Sequence, residues 1–210
     1  MWAVASAFAF SLSSVVGKDL LDALGVASLL FWRFSLASVV LWSVLIVWRR
    51  RGGPDPFAVP RARLFGLGVL MGVVVVVGFL ALERLDASVY IVLVYLYPAF
   101  VVIGSALLGR PLDGITIAAL AIITVGVVLT VPELFTGVDS ISVTGVAFAL
   151  GQAVLFAAYM ILNDRVVPPG VDGVVSAGWT TLGAAAFFTP LVVVDGLTAP
   201  HGPRLVLEVG

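Results

Sequence analysis

Leu64-Phe65-Gly66-Leu67-Gly68-Val69-Leu70-Met71-Gly72-Val73-Val74-Val75-Val76-Val77-Gly78-Phe79-Leu80-Ala81-Leu82 runs from residue 64 to 82 without one charged side chain. A bilayer core is about 30 Å thick, and a helix needs roughly 20 residues to cross it. Inside lipid every backbone N–H and C=O must pair within the segment, so such a run has to be helical. The charges that frame it, Arg61 and Arg63 before and Glu83, Arg84 and Asp86 after, mark its ends.

Working outward, the same pattern recurs. Apolar runs predict spans at 2–17, 26–48, 87–108, 114–131, 143–162 and 174–194, which with 64–82 makes about seven transmembrane helices. The fold class expected is all-α, a polytopic membrane helix bundle. Composition agrees: 61% of the 210 residues are hydrophobic and 11% charged, against roughly 25% charged in a soluble domain. A formal net charge of −1 speaks against nucleic acid as a partner, since phosphate binding needs basic patches. With no cysteine and a single histidine, His201, thiolate chemistry and a histidine metal cluster are excluded within one chain, and no cofactor or metal is expected.

The first span reads as a retained helix rather than a signal peptide. It has no basic n-region, and Lys18 and Asp19 follow it where a small-residue cleavage site would stand. Asp86, Asp113 and Asp172 are placed to cap the helices that follow them. Pro132 and Pro168-Pro169-Gly170 interrupt the chain between spans. Trp48, beside Arg49-Arg50-Arg51, is placed as an interfacial anchor. The second, fourth and sixth connections carry seven basic residues (Arg49, Arg50, Arg51, Arg61, Arg63, Arg110, Arg165), and the first, third and fifth carry Lys18 and Arg84. The positive-inside rule then places the first set, and the N-terminus, in the cytoplasm of a cell whose cytoplasmic membrane holds the chain.

Gly68 and Gly72 form a GxxxG pair, with Ala147 and Gly151 a softer version. Such pairs allow close helix packing, and the alternative is a glycine-lined solute path. Catalysis finds no support. No Asp or Glu lies mid-span, Ser105 has no histidine partner for a protease, and residues 174–194 hold no lysine for a Schiff base.

Among candidate solute contacts, Arg33 lies within the second span, in Phe31-Trp32-Arg33-Phe34. Intramembrane charges usually face a partner or a cavity, but a long arginine can also snorkel to the headgroups. If Arg33 contacts solute, it favours an anionic or carboxylate group. Tyr90 and Tyr97, seven apart, share a helix face, and Pro98 frees a carbonyl near mid-membrane. Kinked helices line many transporter sites, and aromatic packing around a structural kink is the competing account. Ser11 and Ser14 in the first span, Gln152 and Tyr159 in the sixth and Trp179 in the seventh complete the set. Gln152 stands out because an amide in lipid needs partners, either in a polar cavity or on a neighbouring helix.

In order, these pieces resemble the EamA-type transporters of the drug/metabolite transporter superfamily. The resemblance is carried by Phe10-Ser11-Leu12-Ser13-Ser14-Val15-Val16-Gly17-Lys18, Arg33-Phe34, Gly78-Phe79-Leu80-Ala81-Leu82 leading into Leu85-Asp86-Ala87-Ser88, Tyr95-Leu96-Tyr97-Pro98-Ala99-Phe100, and Gly126-Val127-Val128-Leu129. Where that family often has Gly-Glu after its fourth helix, this chain has Gly109-Arg110, so no role of that glutamate carries over. The resemblance implies ten helices as two inverted five-helix repeats. Residues 1–131 would form the first repeat, and 143–210 the start of a second, with Leu205-Val206-Leu207 opening an eighth helix. It implies a solute site between the two halves, and residues 1–210 alone are then expected not to transport. The expected function is secondary transport of a small metabolite or drug-like solute by alternating access. A non-transporting seven-helix scaffold or subunit is the alternative. The partners expected are the lipid bilayer and a small-molecule solute, with further copies of the chain left open.

Overall fold

In a computed structural model, residues 26–110, 114–129 and 142–198 are described. They form α1 (Val26–Arg50), α2 (Arg61–Leu82), α3 (Ala87–Val94), α4 (Tyr97–Leu107), α5 (Gly114–Leu129), α6 (Val143–Val166) and α7 (Gly173–Thr198), with no strand among the described residues. Among the described residues, five stretches are long and apolar enough to cross a membrane: Ala27–Arg50, Arg61–Leu82, Ala87–Leu107, Val143–Val166 and Gly173–Val193. They correspond to the second, third, fourth, sixth and seventh expected spans. The fifth expected span is the shorter helix α5, whose 16 residues rise about 24 Å. The first, at 2–17, lies outside the described residues, as do Asp113, Pro132, His201 and 205–207.

Helix α2 is the centre of the bundle. It packs on α7 along one side and α6 along the other; α1 covers α7, α3 and α4 cover α6, and α5 meets α4 at the edge. The glycines expected to permit close packing do so. A Cβ built on Gly68 would overlap the Thr180 carbonyl oxygen and lie 2.9 Å from the Gly183 Cα, and one on Gly72 would lie 2.5 Å from the Phe187 ring. Gly183 is crowded in turn by the Phe65 carbonyl. Here α2 and α7 touch backbone to backbone, which only glycine allows.

The softer pair does not serve this purpose: Ala147 is exposed and Gly151 faces open space. The buried stripe on α6 is instead Gly145, Ala149, Ala153 and Ala157. It has the same four-residue spacing, shifted by two residues and so about 200° around the helix.

Capping follows side-chain chemistry more than position. Ser142 Oγ accepts from the Gly145 N–H at 3.2 Å and Asp172 Oδ1 from the Val174 N–H at 2.8 Å. Asp86 occupies the N-cap of α3 but its side chain makes no capping bond, so its expected cap is positional only. Ser142→Ala is expected to lower stability by about 1 kcal/mol, measurable as a fall in Tm of the detergent-solubilised protein. An unchanged Tm would show that this helix start needs no cap.

The connections alternate between two ends of the bundle. Trp179, near the start of α7, donates to the Pro56 carbonyl at 2.8 Å, which joins the α1–α2 connection to the start of α7. Arg110, after α4, pairs with Asp164 near the end of α6. At the other end, Gly145 packs against Leu85 and Arg84, and the Arg84 guanidinium lies over Phe148 at 5.2 Å. The second, fourth and sixth connections therefore share one end, and the third opens beside the start of α6 at the other. This is the alternation that a multi-pass chain requires.

Candidate functional site

The fourth span is not one helix. α3 ends at Val94 and α4 begins at Tyr97, with Tyr95 and Leu96 between them. Pro98 has no N–H to give to the Val94 carbonyl four residues back. The backbone keeps right-handed helical angles at Tyr95 (φ −66°, ψ −1°) and Leu96 (φ −74°, ψ −9°), so the interruption is a local loosening rather than a turn. The expected kink is thus a break in the hydrogen-bond ladder.

Tyr97 and Pro98 stand at this break, and Gln152 and Tyr159 lie on α6, which packs on α3 and α4. The Tyr97 ring meets Phe156 of α6 edge to face, centroids 4.8 Å apart, and Phe156 stacks with Tyr159 at 6.0 Å. Gln152, Phe156 and Tyr159 follow the i, i+4, i+7 spacing that puts them on one helix face. Gln152 lies about 14 Å along α6 from its start, deep in the span. It packs on α2 where Gly78 leaves room: a Cβ on Gly78 would fall 2.7 Å from Gln152 Cδ. Gln152 Oε1 is buried with no donor, the one such side-chain atom among the described residues. An unserved amide acceptor is costly to bury, of order 1–3 kcal/mol. Of the two alternatives for this amide, a polar cavity or a neighbouring helix, a hydrogen bond from a neighbouring helix to that oxygen is not made here.

The other candidates lie elsewhere. Tyr90 is half-buried on α3, on the far side of the break from Tyr97. Arg33 is exposed on α1. Ser11 and Ser14 lie outside the described residues. Trp179 sits at the end of the bundle that holds residues 51–60, engaged with the Pro56 carbonyl and edge to face with Trp42 at 4.9 Å. Trp42 donates to the Gly178 carbonyl at 3.1 Å, and Phe57 packs on both indoles. Trp179→Phe is expected to lose about 1 kcal/mol with the Pro56 bond and to loosen residues 51–60, read as faster proteolysis in that connection. Equal proteolysis rates would mean the bond does not hold it. Thr180 and Thr181 turn their hydroxyls back onto carbonyls of their own helix.

Phe156, which joins Tyr97 to Tyr159, was not among the expected site residues. Its signal was the spacing from Gln152 and Tyr159, legible only once those two are taken together. A separate cleft of about 420 Å³ lies between α1, α2 and α7, bounded by Leu30, Val76, Phe79, Glu83 and Phe188. Among the described residues, none of the expected site residues borders it.

Long apolar helices with alternating connections and a polar group held deep between them define a multi-pass membrane protein in contact with lipid. The model of the EamA-like transporter family matches residues 1–131, more than half of the chain, and the protein belongs to that family, one of transporters. No curated protein and no solved structure gives a significant match. Arg33, Tyr90, Tyr97 and Pro98 fall within the matched residues, whereas Gln152, Phe156, Tyr159 and Trp179 follow them.

Proposed function

We propose that the protein serves secondary transport of a small metabolite or drug-like solute across the cytoplasmic membrane, by alternating access, with Tyr97, Gln152 and Tyr159 among the groups that meet the solute. The observation that carries this is Gln152 Oε1, an acceptor held deep in a span with no donor, beside a helix whose ladder is broken at Tyr95–Leu96. Broken helices at mid-membrane and unserved polar groups are where transporters hold solutes. A solute N–H or O–H would supply the missing donor, and the rings of Tyr97, Phe156 and Tyr159 would offer an apolar wall. Arg33 and Tyr90 remain part of the proposal, on the α1 and α3 sides of such a path.

We further propose that residues 1–131 are one repeat and 143–210 belong to its inverted counterpart, with the arginine-rich end of the bundle cytoplasmic. The extent of the family match and the seven basic residues gathered at the end shared by the second, fourth and sixth connections support this. Solute would then bind where α6 lies against α2 and α4, between the two repeats.

The scaffold reading draws support from one fact, that Trp179 is occupied by packing against Pro56 and Trp42. Untargeted metabolite profiling of cells and medium, with and without the gene, separates the readings. Transport predicts that at least one small metabolite redistributes between cell and medium, and that reintroduced Tyr97→Ala fails to restore the distribution. Unchanged distributions of every metabolite would favour the scaffold.

A further inference from the structure

We propose that the arginine-bearing end of α1 is a binding site for an anionic phospholipid of the adjoining leaflet. Two clefts flank that end of α1, on different faces of the helix. One, of about 430 Å³, is bounded by Ser43, Val44, Val47, Trp48 and Arg51. The other, of about 380 Å³, is bounded by Ile46, Arg49, Arg50, Pro56 and Phe57. Each joins an aliphatic wall on the last turns of the helix to guanidinium groups at its end. That division matches a phospholipid, with acyl chain and glycerol along the wall and phosphate at the arginines.

Charge complementarity selects the headgroup. Residues 49–63 hold five arginines and one acidic residue, Asp55. Asp55 pairs with Arg49 at 3.3 Å, and the Arg49 guanidinium also lies over Phe57 at 5.4 Å. Arg50, Arg51, Arg61 and Arg63 are exposed, and no carboxylate pairs with them among the described residues. Guanidinium matches phosphate oxygens in a bidentate fork, and basic clusters beside a membrane helix draw anionic lipids.

The frame is built rather than loose. The Arg51 and Gly53 N–H groups both donate to the Trp48 carbonyl at 3.0 Å, with Gly52 at φ +83°. A Cβ on Gly53 would lie 2.5 Å from the Trp48 ring, so the chain turns tightly over that indole beside Arg51. Residues 55–57 are held by the Trp179 bond to Pro56 and by the Phe57 N–H donating to Asp55 at 3.1 Å. A fixed frame lowers the ordering cost of binding. The walls favour a lipid over a free anion, because Val44, Ile46 and Val47 are about half exposed on a span that lies in the bilayer.

The test is native mass spectrometry of the purified protein in detergent, titrated with phosphatidylglycerol or with phosphatidylcholine of the same chains. Phosphatidylglycerol adducts are expected to persist at activation energies that strip phosphatidylcholine. The exposed double variant Arg50→Gln/Arg51→Gln is expected to weaken phosphatidylglycerol binding by roughly 30-fold. Arg84→Gln, which removes the same kind of charge at the opposite end, should leave it unchanged, and inorganic phosphate should not displace the lipid. Equal retention of the two lipids would overturn the proposal. So would undiminished binding by a double variant that still elutes as one folded species, equal weakening by Arg84→Gln, or displacement by inorganic phosphate.

Discussion

Gly68→Ala and Gly183→Ala are each expected to destabilise the protein by about 3 kcal/mol, and Gly68→Leu to leave no recoverable folded protein. At both glycines the obstructing atoms are backbone: the Thr180 carbonyl and Gly183 Cα for one, the Phe65 carbonyl for the other. Backbone cannot swing aside as a side chain can. Relief therefore requires α2 and α7 to separate, opening the contact at the centre of the bundle. Overpacking a tight site costs about 1–3 kcal/mol even where side chains can yield, which puts these positions at or beyond the upper end. Gly66→Ala is the matched control, since a Cβ there meets nothing within 4 Å; it should be neutral or mildly stabilising, because alanine favours helix. Thermal unfolding in detergent, read by tryptophan fluorescence, checks all of these. Equal Tm values for Gly66→Ala and Gly68→Ala would mean that α2 and α7 do not meet along this seam.

Gln152→Leu is expected to separate stability from function. Leucine removes the unserved acceptor at similar volume, so the folded protein should be unchanged or more stable by about 1–3 kcal/mol. If the amide is what a solute engages, transport by the protein carrying both repeats should fall by at least tenfold, since a site lacking its polar partner loses on the order of 1.4 kcal/mol or more of binding. Both should be measured on the same preparation. A variant that is more stable and transports normally would make Gln152 a structural cost without a role. A variant that fails to fold would show that the side chain has a structural partner.

Much of the fold was legible because lipid imposes a coarse rule. The run 64–82 has to be helical, and so do the other four long runs, whatever their neighbours. What the sequence cannot supply is rotational phase. α6 is apolar almost all round, so its four-residue spacing fits two faces equally well. The Ala147–Gly151 spacing points to one face as the packing face, whereas Gly145–Ala149–Ala153–Ala157 is the buried stripe. The same blindness affected Trp179. Its indole is engaged by Trp42, Pro56 and Phe57, which are far away in sequence.

At the candidate site, Pro98 announced a disturbance because a missing N–H is a local fact. The convergence of Tyr97 with Phe156 is tertiary and was not legible. Gln152 is legible for a local physical reason: an amide in lipid must find partners, and its oxygen has none.

The chain contains no cysteine, which allows the most direct test of the transport reading. Single cysteines at positions 97, 152 and 159 would be exposed, in sealed membrane vesicles of both orientations, to a membrane-impermeant thiol reagent, with position 154 on the exposed face of α6 as the lipid-facing reference. Transport through this cluster requires that all three label faster than position 154, each from at least one side. Labelling of none of the three above the reference would mean that these residues are dry packing, and would contradict a solute path beside Gln152.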